Sequence, residues 1–136
     1  MLRIISANLN GIRSAAKKGF MEWVQKQQAD FICVQELKAQ KDDLDAQLQL
    51  PKGLNSYFHC AEKKGYSGCG IYTRHQPDDV LYGYGNEEFD AEGRYVEARF
   101  KNLSVISVYM PSGSSSPERQ EAKYRYLDSF MPHLIK

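Results

Sequence analysis

The chain has 136 residues, a length typical of a single domain, of which 42% are hydrophobic and 26% are charged. This composition excludes disordered, collagen-like and disulfide-scaffold proteins, and no apolar run approaches the roughly 20 residues of a membrane-spanning helix. The net charge of +1 conceals a pattern, because residues 1–26 carry five basic side chains against one acidic, and residues 78–97 carry seven acidic against one basic. A near-neutral total is therefore compatible with a surface that binds a polyanion.

The first half of the chain alternates strand-like and helix-like segments. Residues 31–35 form a continuous apolar run, which is typical of a buried strand, and residues 12–28 have apolar residues at helical spacing that Gly19 divides into two pieces. In chain order, the prediction is a strand at 2–7, a turn at 8–11, helical segments over 12–28, a strand at 31–35 and a short helix at 42–49 before Pro51.

The second half is richer in strands and ends in a helix. The segment LSVISVYM at 103–110 is the strongest strand signal in the chain, and Pro117 stands where a helix should begin. The prediction is strands at 57–62, 69–73, 80–84, 95–100 and 103–110, loops at 63–68 and 111–116, and a helix at 118–135. This order favours an α/β or α+β layered fold.

Cysteine and histidine give no sign of a disulfide framework or a zinc site. The number of cysteines is odd, and no two of them form a CxxC pair, which predicts free thiols in a reducing compartment for Cys33, Cys60 and Cys69. The three histidines lack the spacing of zinc ligands. The N-terminus has neither the long apolar stretch nor the small-residue cleavage site of a secretory signal peptide, so we expect a cytoplasmic protein without a membrane partner.

Polar side chains follow three of the predicted strands. Asn8 and Asn10 follow the first strand, Glu36 follows the second, and Tyr109 and Ser112 follow the last apolar run. Because the carboxyl ends of strands in an α/β sheet form the rim of a binding crevice, we expect these side chains to meet. Each also has a simpler interpretation: the segment at Asn8 as a turn with an Asn helix cap, Glu36 as a solvated residue, and Tyr109 as part of the core.

Five short motifs, taken in order, resemble one known family. They are Asn8-x-Asn-Gly-Ile-Arg13, Val34-Gln-Glu-Leu-Lys38, Gly65-Tyr-Ser-Gly68, Glu92-Gly-Arg94 and Val108-Tyr-Met-Pro111-Ser. In these motifs the chain is similar to exodeoxyribonuclease III and the apurinic/apyrimidinic endonucleases of the endonuclease/exonuclease/phosphatase superfamily. The resemblance covers essentially the whole chain. Its third and fourth motifs point to the DNA-repair branch rather than to lipid or nucleotide phosphatases.

The resemblance implies a fold and a domain organisation. The family has a four-layer α/β/β/α sandwich, in which two mixed sheets lie face to face with helices outside, and residues 1–136 correspond to the N-terminal half of that single domain. The later family motifs, Gly-Asp-x-Asn and Ser-Asp-His, do not occur in this sequence. We therefore expect the C-terminal half to supply the general base and to cover one face of the central sheet, and the chain alone to be inactive.

The resemblance also implies catalytic roles in the hydrolysis of DNA phosphodiesters. The implied cofactor is Mg²⁺, with Mn²⁺ as a substitute, and Glu36 matches the metal-binding glutamate. Asn8 matches an asparagine beside the metal and the scissile phosphate, whereas Asn10 stands where some relatives carry an aspartate. Tyr109 matches a tyrosine whose hydroxyl donates a hydrogen bond to a phosphoryl oxygen.

The implied partner is double-stranded DNA with abasic sites or 3′ ends. The resemblance implies contacts with DNA phosphates or a DNA groove at the first helix, at the loop after Lys63 and Lys64, at the Glu92-Gly-Arg94 motif and at the segment that follows Tyr109. The matching residues are Arg13, Lys17, Gly65, Tyr66, Ser67, Arg94, Ser112, Gly113 and Arg119. Simpler interpretations are a solvated basic helix face, a hairpin tip at 65–68, and an Arg94 that only holds Glu92.

Three functions follow from these observations. The first is a magnesium-dependent DNA-repair nuclease that cuts beside abasic sites and trims 3′ ends. The second is a superfamily phosphatase that acts on a small phosphoester. The third is a non-catalytic fragment that binds DNA.

Overall fold

The structure is a computed structural model that describes residues 1–49, 51–113 and 116–135. Its strands form two sheets. Sheet A has the spatial order β1-β2-β4-β3, where the strands are β1 (Ile4–Asn8), β2 (Phe31–Gln35), β3 (Asn55–His59) and β4 (Cys69–Thr73). Sheet B has the order β5-β6-β7, where the strands are β5 (Asp79–Tyr82), β6 (Tyr95–Phe100) and β7 (Leu103–Val108). The β1–β2 pair is parallel, and the other pairs are antiparallel.

Helices cover the outer face of each sheet. On sheet A these are α1 (Ile12–Lys17), α2 (Phe20–Gln27) and α3 (Ala46–Gln49), whose apolar residues share one cluster with β2 and β4. On sheet B they are α4 (Glu87–Asp90) and α5 (Pro117–Ile135), which pack on β6 and β7. The layer order is therefore α/β/β/α, and the predicted mixed α/β sandwich is confirmed.

Strand β2 shows why its sequence is apolar throughout. Ile32 and Val34 face the helices on sheet A, whereas Phe31 and Cys33 face sheet B. Because successive side chains of a strand point to opposite faces, a strand between two packed layers needs apolar residues at every position. All five residues of β2 are buried, as the run at 31–35 predicted.

Most of the predicted elements are confirmed, although the strands predicted at 2–7, 57–62, 80–84 and 103–110 have the different bounds given above for β1, β3, β5 and β7. The helices differ from the prediction where local caps decide the structure. The predicted helix at 42–49 is a 3₁₀ turn (Lys41–Asp43) followed by α3, because Asp45 accepts a hydrogen bond from the Leu48 amide and starts a new helix. Helix α4 was not predicted. Its N-cap, Asn86, accepts a hydrogen bond from the Phe89 amide at 3.2 Å.

The expectation that a missing half must cover a face of the central sheet is wrong for most of that sheet. Sheet B lies within the same chain and packs on β2, β3 and β4. Among the described strands of sheet A, β1 is the one without extensive packing on sheet B. Its residue Ile4 is 51% exposed, and Ser6, which accepts a hydrogen bond from the Gln35 side chain on the inner face, is also exposed. Among the described residues, each sheet has two edge strands, β1 and β3 in sheet A and β5 and β7 in sheet B, and β1 and β7 lie on the same side of the sandwich.

Three remaining predictions concern loops, helices and thiols. Of the predicted loop at 111–116, Ser114 and Ser115 lie outside the described residues, and the rest is loop. Within the described ranges, no helix combines the length and the apolar character needed to cross a bilayer. The three cysteines are free, as predicted, and burial raises the pKa of Cys33 to about 11, so this thiol stays protonated.

Candidate functional site

Several strand ends meet at one end of the sandwich. Because β1 and β2 are parallel, with Asn8 opposite Gln35, both chains leave sheet A at this end. The antiparallel β4 begins here, β6 begins here, and β7 ends here. The residues just outside these ends are Glu36, the loop at 65–68, Arg94 and Tyr109.

These residues line one cleft of about 220 Å³, which we call the central cleft. Its lining residues are Glu36, Lys38, Gly65, Tyr66, Ser67, Arg94, Tyr109, Ser112 and Arg119. All of them except Lys38 were predicted as site residues. The fold therefore brings together side chains that are up to 83 positions apart in the sequence.

Glu36 is held in an uncommon backbone conformation at the mouth of this cleft. Its φ is +57°, which side-chain-bearing residues rarely adopt, and its carbonyl accepts a hydrogen bond from the Gly11 amide at 2.8 Å. The carboxylate is 22% exposed and lies 3.7 Å from the Lys38 ammonium. Tyr109 lines the same cleft as this carboxylate. Glu36 is thus a fixed, accessible anion.

Tyr109 is both a core residue and a residue of the cleft. Its ring packs against the apolar cluster between the sheets, and its hydroxyl faces the cleft. Burial raises the pKa of the phenol, the neighbouring Glu36 carboxylate raises it further, and the positive charge of Arg94 opposes them. The phenol is therefore protonated at neutral pH and can donate a hydrogen bond.

The loop at 65–68 connects β3 to β4 and forms another wall of the cleft, so it is both a hairpin connection and part of the site. The Ser67 side chain is 3% exposed, and among the described residues its hydroxyl has no hydrogen-bond partner. A buried hydroxyl without a partner is uncommon, because its desolvation is uncompensated. At a cleft wall, this is the arrangement expected of a group that binds a polar ligand.

A second cleft of about 550 Å³, the basic cleft, adjoins the first. It contains Arg13, Lys17 and Lys38, and it shares Lys38 and Gly65 with the central cleft. Arg13 donates a hydrogen bond to the Lys38 carbonyl at 3.0 Å and lies 3.8 Å from Asp43, while Lys17 is exposed. Two of these three cations were predicted as phosphate contacts.

Two predicted site residues, Asn8 and Gly113, line neither the central cleft nor the basic cleft. The Asn8 side-chain oxygen accepts a hydrogen bond from the Asn10 amide at 3.1 Å, which confirms the turn interpretation. The expected Asn helix cap is wrong, because Gly11, with φ +108°, is the N-cap of α1. Gly113 lies against the Gln120 side chain of α5.

The family of the chain can now be stated from a comparison with known proteins. Residues 5–133 match the model of the Endonuclease/Exonuclease/phosphatase family. The chain belongs to this family. Nucleases of the Endonuclease/Exonuclease/phosphatase family generally depend on a divalent metal.

Individual relatives of this family agree with the resemblance. The chain is 34% identical to an exodeoxyribonuclease of Bacillus subtilis (strain 168), over 99% of this chain and 53% of that protein. It is 33% identical to the DNA repair nuclease APEX1 of Danio rerio, over 98% of this chain and 44% of that protein. An AP endonuclease from Archaeoglobus fulgidus superimposes with a TM-score of 0.84 at 28% identity, over 98% of this chain and 51% of that one. The chain thus spans about half the length of the relatives it matches.

Lys38 was quoted in a family motif but was not assigned a role from the sequence. Its ammonium donates a hydrogen bond to the Asn10 side-chain oxygen at 2.6 Å and lies beside Glu36. A signal was present in the sequence, because the apolar residues Leu37 and Ala39 alternate with the charged residues Glu36 and Lys38.

The donor set fits an open metal site of the family rather than a closed one. Within the described residues, no group of three or more His, Cys, Asp or Glu side chains could hold a metal ion. Magnesium is commonly bound through one or two carboxylates, with water and substrate phosphate in the other positions. Glu36 supplies one accessible carboxylate, and Asn10 supplies an amide that hydrogen-bonds to the same lysine.

Proposed function

We propose that this chain is the N-terminal half of a DNA-repair nuclease that hydrolyses phosphodiesters at abasic sites and from 3′ ends of double-stranded DNA. One observation carries the proposal: the central cleft, which contains Glu36, Tyr109 and a Ser67 hydroxyl with no partner among the described residues, adjoins the basic cleft. A phosphate backbone needs cations along its path, and hydrolysis needs a metal ligand and a hydrogen-bond donor at one point on that path. We expect this protein to act in the cytoplasm.

Each side chain has a separate part in this proposal. Arg13, Lys17 and Lys38 attract the DNA backbone without reading its sequence. Glu36, with Asn10 nearby, would hold Mg²⁺, for which Mn²⁺ can substitute. When bound, the ion neutralises charge on the phosphate and lowers the pKa of water. The Tyr109 phenol donates a hydrogen bond to a phosphoryl oxygen as negative charge develops there.

The site residues Tyr66, Ser67, Arg119 and Ser112 surround the same cleft. The Ser67 hydroxyl can donate to a phosphate oxygen that enters the cleft, because no described residue competes for it. Arg119 lies in the first turn of α5 and donates a hydrogen bond to the Tyr66 hydroxyl at 3.1 Å. Tyr66 is therefore fixed as a wall that a DNA strand can press against. Asn8 and Gly113 act only through the turns that contain them.

The names of the relatives favour a nuclease over the two alternatives. A phosphatase for small phosphoesters needs a site that encloses its ligand, whereas here two clefts join along an open, basic surface. A fragment that only binds DNA would leave unexplained why Glu36 and Tyr109 line the same cleft at the end of the sandwich.

The open side of the sandwich supports the proposed domain organisation. A further strand beside β7 would extend sheet B over β1 and cover Ile4 and Ser6, which are exposed. It would also pair the unpaired β7 edge. We propose that a second polypeptide half occupies this side and supplies the remaining acidic groups and the general base.

The decisive experiment supplies that half. Residues 1–136 are fused to the part of the Bacillus subtilis exodeoxyribonuclease that lies beyond the aligned region. The fusion is assayed with Mg²⁺ on end-labelled duplexes that contain one abasic site or a recessed 3′ end. We expect cleavage of both duplexes, and we expect none from the 136-residue chain alone.

Two variants of the fusion make the result specific. Glu36→Gln keeps the size of the side chain but removes the carboxylate, and it should abolish most of the activity. Arg125→Gln removes a surface ion pair between α5 and Glu88 of α4, and it should leave the activity unchanged. Hydrolysis of a small phosphomonoester without DNA cleavage would favour the phosphatase, and Mg²⁺-independent DNA binding without cleavage would favour the binding fragment.

A further inference from the structure

We propose that Arg94 is a positioning residue that fixes Tyr109 and Tyr66 in the central cleft, and that its guanidinium does not contact DNA. This inference rests on the proposed function, because it explains how the two tyrosines of the proposed site are held in place. It replaces the expectation that Arg94 is a DNA-binding residue.

The burial of Arg94 is the first observation. Its side chain is 2% exposed and is the largest of the fully buried side chains. A buried guanidinium must have its donors satisfied, since an unpaired buried charge is strongly destabilising. A side chain in this position has little surface left with which to approach a phosphate.

The partners of the guanidinium are the second observation. Its Nε donates to the Glu92 carboxylate at 2.8 Å, one terminal nitrogen donates to the Tyr109 carbonyl at 3.0 Å, and the other donates to the Tyr66 hydroxyl at 3.0 Å. All three nitrogens are therefore engaged within the protein. Two of the three partners belong to the tyrosines that line the cleft.

The backbone shows why Arg94 and Tyr109 are adjacent. The Tyr109 amide donates to the Arg94 carbonyl at 2.9 Å, which extends the antiparallel β6–β7 pairing one residue past Tyr95 and Val108. Residues directly opposite each other in such a pair have neighbouring side chains. The guanidinium carbon accordingly lies 5.1 Å from the centre of the Tyr109 ring, within cation–π distance.

The Tyr66 side is held in the same way. The Arg94 guanidinium lies 5.8 Å from the centre of the Tyr66 ring, and the Lys63 ammonium lies 5.0 Å from it. The Tyr66 hydroxyl contacts Glu92 at 3.3 Å as well as Arg94 and Arg119. Arg94 thus joins two walls of the cleft that come from different sheets.

Only arginine can hold these partners together. A guanidinium is planar and directs five N–H donors in a fixed fork, whereas a lysine ammonium is a single point charge on a flexible stem. Lysine at position 94 would keep the charge but could not reach Glu92, the Tyr109 carbonyl and the Tyr66 hydroxyl at once. This difference separates positioning from a purely electrostatic role.

The experiment uses the full 136-residue chain and measures no activity, so a failure of the nuclease proposal does not affect it. NMR signals are recorded from ¹³C at the tyrosine Cζ atoms and from the ¹⁵N-labelled Arg94 side chain. Tyr66→Phe and Tyr109→Phe assign the two tyrosine lines, and the Arg94 signals are assigned from its backbone. In the unmodified chain, we expect the Arg94 N–H protons to exchange slowly with water.

The variants then separate charge from geometry. In Arg94→Lys, both tyrosine lines should shift, because lysine keeps the positive charge but loses the fixed fork of hydrogen bonds. In Arg94→Met, which also removes the charge, both lines should shift as well. Arg125→Lys, a change at an exposed arginine with its own glutamate partner, should move neither line.

Three results would overturn the proposal. The first is fast solvent exchange of the Arg94 guanidinium in the unmodified chain, a measurement that needs no variant to fold. The second is a folded Arg94→Lys protein in which both tyrosine lines are unchanged. The third is an abasic duplex that shifts the Arg94 side-chain signals while leaving those of Tyr66 and Tyr109 in place, which would identify a direct DNA contact.

Discussion

At the scale of single residues, the hydroxyl of Tyr109 offers the clearest test of chemistry. In the fusion protein, Tyr109→Phe should lower the single-turnover cleavage rate by about 10²–10³, because one hydrogen-bond donor to developing charge is removed. The ring, which packs on the apolar cluster between the sheets, is retained. DNA affinity, measured separately by anisotropy without metal, should change little. A weaker affinity with an unchanged rate would show that the phenol only binds DNA.

Asp30 is a second residue whose environment makes a prediction, at the end of the sandwich away from the clefts. Its carboxylate accepts hydrogen bonds from the Arg3 amide at 2.7 Å, from His75 at 2.7 Å and from Arg74 at 2.8 Å. These contacts, led by the Arg3 amide, hold the pKa of Asp30 well below its usual range. A carboxyl with a depressed folded-state pKa stabilises the fold above its unfolded pKa, and that contribution is lost as the pH falls towards the folded value.

Asp30→Asn should therefore lower the free energy of unfolding at pH 7. The difference from the unmodified chain should shrink as the pH falls below about 4, the pKa of an unperturbed aspartate. Urea unfolding between pH 7 and pH 2 measures both curves. Asp128→Asn, at an exposed position on α5, serves as the control. Parallel curves for Asp30→Asn and the unmodified chain would contradict the assigned pKa direction.

At the scale of elements, the turn before β6 depends on one glycine of the Glu92-Gly93-Arg94 motif. Gly93 has a φ of +61°, and a Cβ added to it would lie 2.6 Å from the carbonyl carbon of Cys60. The left-handed conformation alone costs about 1–2 kcal/mol for a residue with a side chain. Contact with backbone adds to this, because backbone cannot move aside as a side chain can.

Gly93→Ala should accordingly destabilise the chain by more than that strain. Gly53→Ala is the matched control, since Gly53 also has a positive φ, +79°, but a Cβ added there would have no neighbouring atom within 4 Å. Chemical denaturation should show a small loss for the control and a larger loss for Gly93→Ala. Equal losses would mean that the backbone at 59–61 yields to the added methyl group.

The elements also show what the sequence could and could not predict. Strands β2, β4 and β6 were predicted with their observed bounds. The signal was clearest for β2, because a strand between two layers is apolar at consecutive positions. Helix α4 was missed, since its only signals are the Asn86 cap and the buried Phe89, which stand within an acidic segment. Periodicity is uninformative over four residues, so such short helices depend on caps that are recognised only in context.

The residues of the site could be predicted from the family motifs, whereas the geometry of the site could not. Glu36 and Tyr109 could be identified because each follows a strand and belongs to a family motif. The sequence could not show that the Arg94 guanidinium is buried, because hydrogen bonds to Tyr66 and Tyr109 join residues 28 and 15 positions away. Burial of a charged side chain depends on several partners arriving at one place, which no local pattern encodes.

At the scale of the whole molecule, the two sheets of the chain cover each other but leave one side open. The inner face of β1 and the unpaired edges of β1 and β7 lie on this side, and the other two edge strands, β3 and β5, lie on the opposite side, where they contact each other. The remainder has three apolar clusters, one between the sheets and one under each helical layer. We therefore expect the 136-residue chain to fold and to associate with itself through the open side.

Ile4 is the residue that best tests this expectation, because it is an apolar residue on an edge strand and is 51% exposed. Unpaired edges and uncovered apolar side chains promote pairing with another chain, and a lysine on an edge strand opposes it. In sedimentation velocity over a concentration series, the unmodified chain should form dimers or larger species, and Ile4→Lys should shift the distribution towards monomer. Leu134→Lys, at a residue of α5 that is 47% exposed, should leave the association unchanged. If Leu134→Lys and Ile4→Lys weaken association equally, the contact is non-specific and the open side of the sandwich is not the interface.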